Sequence, residues 1–183
     1  LFSAFFTPIP DRSAPHTEDS FCNELLVEGS VSSDQLQAIL QKNASTTLDT
    51  GFRATLPVGE KYFSKNAPPH LSLITLKVKP TQAHLHPGLK PGTLRMHFYD
   101  NGGRSVKNIP VTDLRFHRLA QQHQENEFYD ALNKELFSMK EVFLRLGLTR
   151  SYTNQQGKEG FWLQVNGIYT FPEKLSTLPQ DPF

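Results

Sequence analysis

Thr93-Leu94-Arg95-Met96-His97-Phe98-Tyr99-Asp100-Asn101-Gly102-Gly103, followed by Ser105-Val106-Lys107-Asn108-Ile109-Pro110-Val111, is the stretch on which the fold turns. Apolar and polar residues alternate through its first half with the period of two that marks a half-buried strand. Leu94, Met96 and Phe98 point one way, and Arg95, His97 and Tyr99 the other. The Asp-Asn-Gly-Gly step supplies residues that tolerate positive φ in a tight turn, so residues 105–116 are expected to return as the antiparallel partner. Pro110 has no N–H to give a ladder, which predicts an edge or a bulge there.

Outward from this hairpin the punctuation continues. Residues 71–78 read as a strand with Ile74, Leu76 and Val78 on one face, ended by Pro80. His84 and His86, just before Pro87-Gly88, read as loop. On the other side, Phe128, Leu132, Leu136 and Met139 recur at helical spacing and predict a helix over residues 126–138. Val142, Leu144, Leu146 and Leu148 then alternate inward, with Phe143 and Arg145 outward, and residues 161–171 form a last strand. Three strands, a helix and two strands is the element order of an OB-fold, a five-stranded Greek-key barrel that commonly binds oligonucleotides.

Residues 1–69 are less regular. Residues 1–6 read as a strand already under way, the expectation for a piece of a longer polypeptide. Ser32 and Gln35 have capping-box spacing before Leu36, Ile39 and Leu40, which predicts a helix over residues 33–42. Residues 43–69 read as loop with one strand around 52–56, and Pro68-Pro69 marks a boundary. The expected fold class is α+β, mainly β: an OB-like five-stranded barrel (residues 70–183) with a helix between strands 3 and 4, plus a partial or divergent amino-terminal subdomain (residues 1–69), a remnant of a first barrel.

Charge is unevenly placed. Residues 1–68 hold 5 Lys+Arg against 8 Asp+Glu, giving −3, and the remainder holds 14 against 10, giving +4. Within residues 71–118, eight cations, among them Lys90, Arg95, Arg104 and Lys107, face only Asp100 and Asp113. The single cysteine, Cys22, rules out an intrachain disulfide framework and any Cys-rich zinc site, and points to a reducing compartment, so a cytoplasmic location is expected. No apolar run approaches the roughly 20 residues of a membrane helix, and residues 1–9 lack a basic n-region. Fourteen Phe against 5 Tyr and 1 Trp place the burial on large rings, which excludes disorder of the whole chain.

The outward positions carry the candidate chemistry: Arg95, His97, Tyr99, Arg145 and Trp162, with Lys107 and Arg150 at strand ends. Interleaved cations and rings suit a single-stranded nucleic acid, because cations track phosphates and flat rings stack on bases. Arg95 and Arg145 would neutralise phosphates, and Tyr99 and Trp162 would stack. Equally, such residues are ordinary on a solvated strand face. His84 and His86 have no Cys, Asp or Glu nearby to complete a metal shell, so no metal and no cofactor are expected. Asp113 reads as a cap after its strand, and Cys22 with His16 lacks a third orienting group. Phosphate-loop, nucleophile-elbow and His-Glu-x-x-His motifs are absent.

Residues 92–116, residues 143–152 and residues 160–171 together resemble the carboxy-terminal half of the dual OB-containing domain (DuOB) family of bacterial proteins labelled as nucleic-acid modification proteins. The matching positions are residues 72–78, Val111-Thr112-Asp113, Leu146-Gly147-Leu148-Thr149-Arg150 and residues 162–168, and residues 15–21 look like a degraded form of the segment between the family's two barrels. The likeness is good over residues 71–172 and poor over the first 70. The resemblance implies nucleic-acid metabolism, modification or defence, and carries over no catalytic residue.

The leading expectation is therefore a noncatalytic nucleic-acid-binding or adaptor module of a bacterial modification or defence system. Its partners would be nucleic acid, single-stranded, and/or a protein of the same system, with no membrane. The alternative is a structural subunit that docks a helicase, nuclease or modification enzyme through Phe-rich surfaces and edge strands. An enzymatic reading, with His97 or His117 beside Asp113, ranks last.

Overall fold

The computed structural model describes residues 2–10, 12–123 and 125–172. Among these residues, β1 (Phe2–Pro8) and β2 (Ser20–Val27) pair antiparallel as a ribbon of their own, followed by α1 (Ser33–Asn43) and α2 (Leu48–Phe52). The remaining strands form one mixed sheet of eight. They are β3 (Tyr62–Ser64), β4 (Leu73–Val78), β5 (Ala83–Pro87), β6 (Leu94–Tyr99), β7 (Ser105–Val111), β8 (Glu141–Leu148), β9 (Tyr152–Thr153) and β10 (Glu159–Phe171), with α3 (Leu114–Gln122) and α4 (Asn126–Ser138) between β7 and β8. The chain is thus α+β and mainly β. Ladders run in the order β4-β8-β10-β7-β6-β5, and β3 and β9 flank the first half of β10. Neighbours are antiparallel except β7 and β10, which meet parallel at Val111 and Val165. The ends of the path, β4 and β5, are consecutive in the chain and separated by Lys79 and a 3-10 turn, Pro80–Gln82; no ladder joins them among the described residues. Eight strands in place of five, and two helices in place of one, correct the expected layout.

The expected β6–β7 hairpin is present, and a buried carboxylate holds its turn. Asp100 accepts from the backbone N–H groups of Gly102 at 3.0 Å, Arg104 at 2.9 Å and, across the fold, Leu48 at 3.0 Å. The last bond ties the turn to the start of α2. The bulge of β7 lies before Pro110, at Lys107–Asn108: register shifts between Met96 and Phe98 and Asn108 adopts φ 59°, while Pro110 itself stays in register opposite Arg95.

Three elements differ from expectation. The strand expected to run to residue 116 stops at Val111, because Asp113 accepts from the Arg115 N–H at 2.9 Å and starts α3 as its N-cap. Residues 83–87 form β5 where a loop was expected: Ala83 and Leu85 fill the core, and Asn133 of α4 pairs with the Leu85 backbone through both amide atoms, at 2.8 and 2.7 Å, satisfying groups the ladder leaves open. No strand forms at residues 52–56: α2, capped by Thr47, ends at Phe52 and is closed by Arg53 at φ 53°.

The core gathers the inward stripes of β4, β6, β7, β8 and β10 around Leu48, Phe52, Leu56 and Phe63. Leu48, Phe52, Leu56 and Phe63, before Pro68-Pro69, thus pack in the same hydrophobic cluster as the strands that follow it; residues 173–183 of the expected carboxy-terminal unit lie outside the described residues. The capping box of α1 forms as expected, with Gln35 N donating to Ser32 Oγ and Ser32 N to Gln35 Oε1. This helix lays Leu36 and Leu40 on Phe143 and Phe171. Phe143, expected outward in solvent, is consequently buried. Among the described residues no helix is long and apolar enough to cross a membrane.

Candidate nucleic-acid interface

Strand parity brings four of the seven candidate residues to one face. Arg95, His97 and Tyr99 alternate along β6 opposite the core stripe, and Lys107 lies on β7 beside them. The Arg95 guanidinium donates to the Asn108 carbonyl at 3.2 Å, which ties it to the β7 bulge. His97 lies opposite His84 in register, and its ring meets that of His86 at 4.3 Å. Burial first, then the neighbouring His86, Lys107 and His84, push the His97 imidazole below its ordinary pKa.

Beside this face opens a cleft of about 920 Å³. Its floor is Arg95 and Pro110 from the two strands with Leu163 from β10, and Lys90 comes from the β5–β6 loop. Tyr152 and Lys158 come from the segment between β8 and β10, and Lys61 from the approach to β3. The approach of β3 depends on Gly160, since a Cβ there would collide with the Phe63 carbonyl. Burial first, then the nearby Arg95, lower the Lys61 pKa, and Glu60 works in the opposite direction. Glu60 itself is engaged by Lys158 at 2.7 Å.

Compared with family models, with curated proteins and with solved structures, this chain matches none. Its functional reading therefore rests on the geometry of this face.

Trp162 lines the same cleft as Arg95, but not as the outward-facing ring the sequence led one to expect. Tyr62 stacks on the indole at 4.6 Å and 19°, Tyr152 at 5.6 Å and 28°, and only 9% of Trp162 is exposed. The indole is thus a buried member of a ring stack, and Tyr152, 49% exposed, is the ring that offers surface. Arg145 and Arg150 are not in this cleft. Arg145 donates to Thr75 Oγ1 at 2.9 Å and lines a separate depression with Asn43 and Arg53. Arg150 pairs with Asp19 at the base of the amino-terminal ribbon.

Lys61, Tyr152 and Lys158 were not among the residues the sequence singled out, and Lys90 entered only as one of eight clustered cations. Lys90 and Lys158 carried a usable signal, since each lies in a loop joining strands of the expected barrel. Lys61 carried none, because nothing local says that residues 57–61 cross to β10. His16, considered with Cys22, instead meets the Thr149 carbonyl through Nε2 at 3.2 Å. Among the described residues no three His, Cys, Asp or Glu side chains are placed to hold a metal.

Proposed function

We propose that the sheet is an OB-type barrel and that the chain is a noncatalytic module binding single-stranded nucleic acid in the cleft beside β6 and β7. The strand order supports the barrel reading. If β4 and β5 are two halves of one bent strand, broken at Pro80, the path β4-β8-β10-β7-β6-β5 returns to its own start, with the helices inserted between the third and fourth strands and a parallel contact between the third and fifth. It accords with the resemblance to the dual OB-containing family, and with it a place in a bacterial nucleic-acid modification or defence system.

The observation that carries the binding reading is the composition of the cleft. Arg95 from a middle strand, Lys90 from one loop, and Tyr152 with Lys158 from another converge on one opening, where OB-folds receive oligonucleotides. Cations there would follow phosphates, and the exposed Tyr152 ring would take a base. Fluorescence anisotropy with labelled oligothymidylates tests this. Arg95→Ala with Lys90→Ala should weaken binding and flatten its salt dependence by about 1.4 in slope, two phosphate contacts on a single strand. Unchanged affinity and slope would remove the reading.

The ribbon favours a second reading, docking to a protein of the same system. Phe5, Phe6, Phe21 and Leu26 are exposed, at 71% for Phe5, and β1 and β2 pair only with each other among the described residues. Unprotected apolar edge strands of this kind invite pairing with another chain. Co-purification of one stoichiometric protein that disappears in a Phe5→Ser, Phe6→Ser variant, with oligonucleotide affinity intact, would support docking.

A further inference from the structure

The cleft continues into a second depression. That depression, about 740 Å³, is lined by Lys61, Arg104 and Lys107 together with Gly59, Asp49 and Asp100. Gly59 and Lys61 line both spaces, so residues 57–61 form the saddle between them. Both carboxylates of the second depression are spent on the protein itself. Asp49 accepts from the Arg104 guanidinium at 2.9 Å and from the Leu56 N–H at 3.1 Å. Asp100 accepts from three backbone N–H groups. Arg104 is correspondingly occupied by Asp49 and the Leu56 carbonyl. Lys61 and Lys107 are the remaining cations of the lining, and among the described residues no carboxylate is paired with either.

The rim is also shaped for a close approach. Gly59 at φ 79° and Gly103 at φ 82° have nothing within 4 Å of the position a Cβ would occupy, so open space faces the backbone at both. A chain of phosphates passing Gly59 and Gly103 would meet their backbone directly, beside the ammonium groups.

We propose that the bound strand continues past Arg95 over Lys61 and into this second depression, where Lys107 takes a further phosphate, so that residues 57–61 and the β6–β7 turn extend the interface beyond the cleft. The ligand class is a phosphodiester chain longer than the cleft alone accommodates. This rests on the reading of the cleft as a single-strand site. The mutual proximity of Lys61 and Arg95, two cations at the saddle, supports it, since a phosphate between them relieves the like-charge crowding.

The test compares two oligothymidylates, of about 4 and about 12 nucleotides, one at the lower end and one well inside the range of about 4 to 16 nucleotides that single OB-folds occupy. Lys107→Glu should leave the affinity for the short one within about twofold, weaken the long one about tenfold and lower only the long one's salt slope by about 0.7. Lys61→Glu, at the saddle, should weaken both. An equal effect of Lys107→Glu on the two lengths, or none on either, overturns the extension, and in that case sensitivity of the short oligonucleotide to Lys90→Glu leaves the cleft reading standing. Failure of the unaltered protein to bind either length overturns both. Thermal melting of each variant within error of the parent shows that an affinity loss is not a folding defect.

Discussion

Glu141 on β8 and Lys77 on β4 form an ion pair across the ladder between those strands, and the second Glu141 oxygen accepts from Gln37 and Gln41 of α1 at 2.6 and 2.8 Å. One carboxylate therefore fastens the amino-terminal helix to the sheet. Burial pushes its pKa up, but the hydrogen bonds from Lys77, Gln37 and Gln41 outweigh this and bring it down to about 2.

The sign follows from that depression. Above the unfolded value near 4.5 the carboxylate is charged in both states and its stabilisation is complete; as pH falls through about 2 the folded group protonates and the contribution is lost. Glu141→Gln should cost of order 2 kcal/mol at pH 7 and less at pH 3. Urea denaturation at the two pH values measures it, and an equal loss at both would refute the assignment.

Asp113 joins α3 to β10. Its carboxylate caps the helix and accepts from the Ile168 N–H at 3.1 Å while pairing with Arg115 at 3.1 Å. Burial raises its pKa, and the bonds from Arg115 and Ile168 more than offset this, leaving it lowered. Asp113→Ala should destabilise by about 2–4 kcal/mol, the loss of a cap plus an orphaned buried N–H. Asp113→Asn, which keeps an acceptor oxygen, should lose less, as chemical denaturation will show.

Tyr152 and Trp162 belong to one ring stack but should respond oppositely. Trp162→Ala opens a buried cavity and should cost about 3 kcal/mol of stability. Tyr152→Ala should leave stability nearly unchanged and weaken single-strand binding by about 1–3 kcal/mol. Paired denaturation and anisotropy measurements separate the two, and the reverse pattern would return the stacking role to Trp162.

His97, held below the ordinary imidazole value by burial and by His86, Lys107 and His84, is more easily charged when unfolded. Stability should consequently fall as pH drops below 6.5. A phosphate beside His97 acts in the opposite direction and favours its charged form. Oligonucleotide affinity should thus rise from pH 7.5 to about 5.5, and His97→Ala should flatten that rise. A parent profile that is already flat would place the phosphates away from β6.

Much of the fold was legible where the local pattern and the final environment agree. Leu94, Met96 and Phe98 alternate with Arg95, His97 and Tyr99, and that alternation survives because β6 has core on one side only. Ser32 and Gln35 cap α1 through bonds three residues apart, which no distant contact needs to arrange. Phe143 shows where such reading stops: its parity is outward, yet α1 covers it, and no spacing in β8 reports the arrival of a helix from a hundred residues away. β5 was hidden for the same reason, since its second edge is satisfied by Asn133 rather than by a strand.

By itself the sequence determined the α+β, mainly β character, the β6–β7 hairpin and its cationic face, because these depend on side-chain period and on turn residues within a few positions of one another. Only the tertiary structure decided which cations meet. Lys61, Lys90 and Arg95 come from separate segments of the chain and line one cleft, beside a Lys158 that Glu60 engages, whereas Arg145 and Arg150, equally basic in the sequence, lie outside it with Thr75 and Asp19. Charge is a property of the residue, and its availability to a ligand depends on what the fold places beside it.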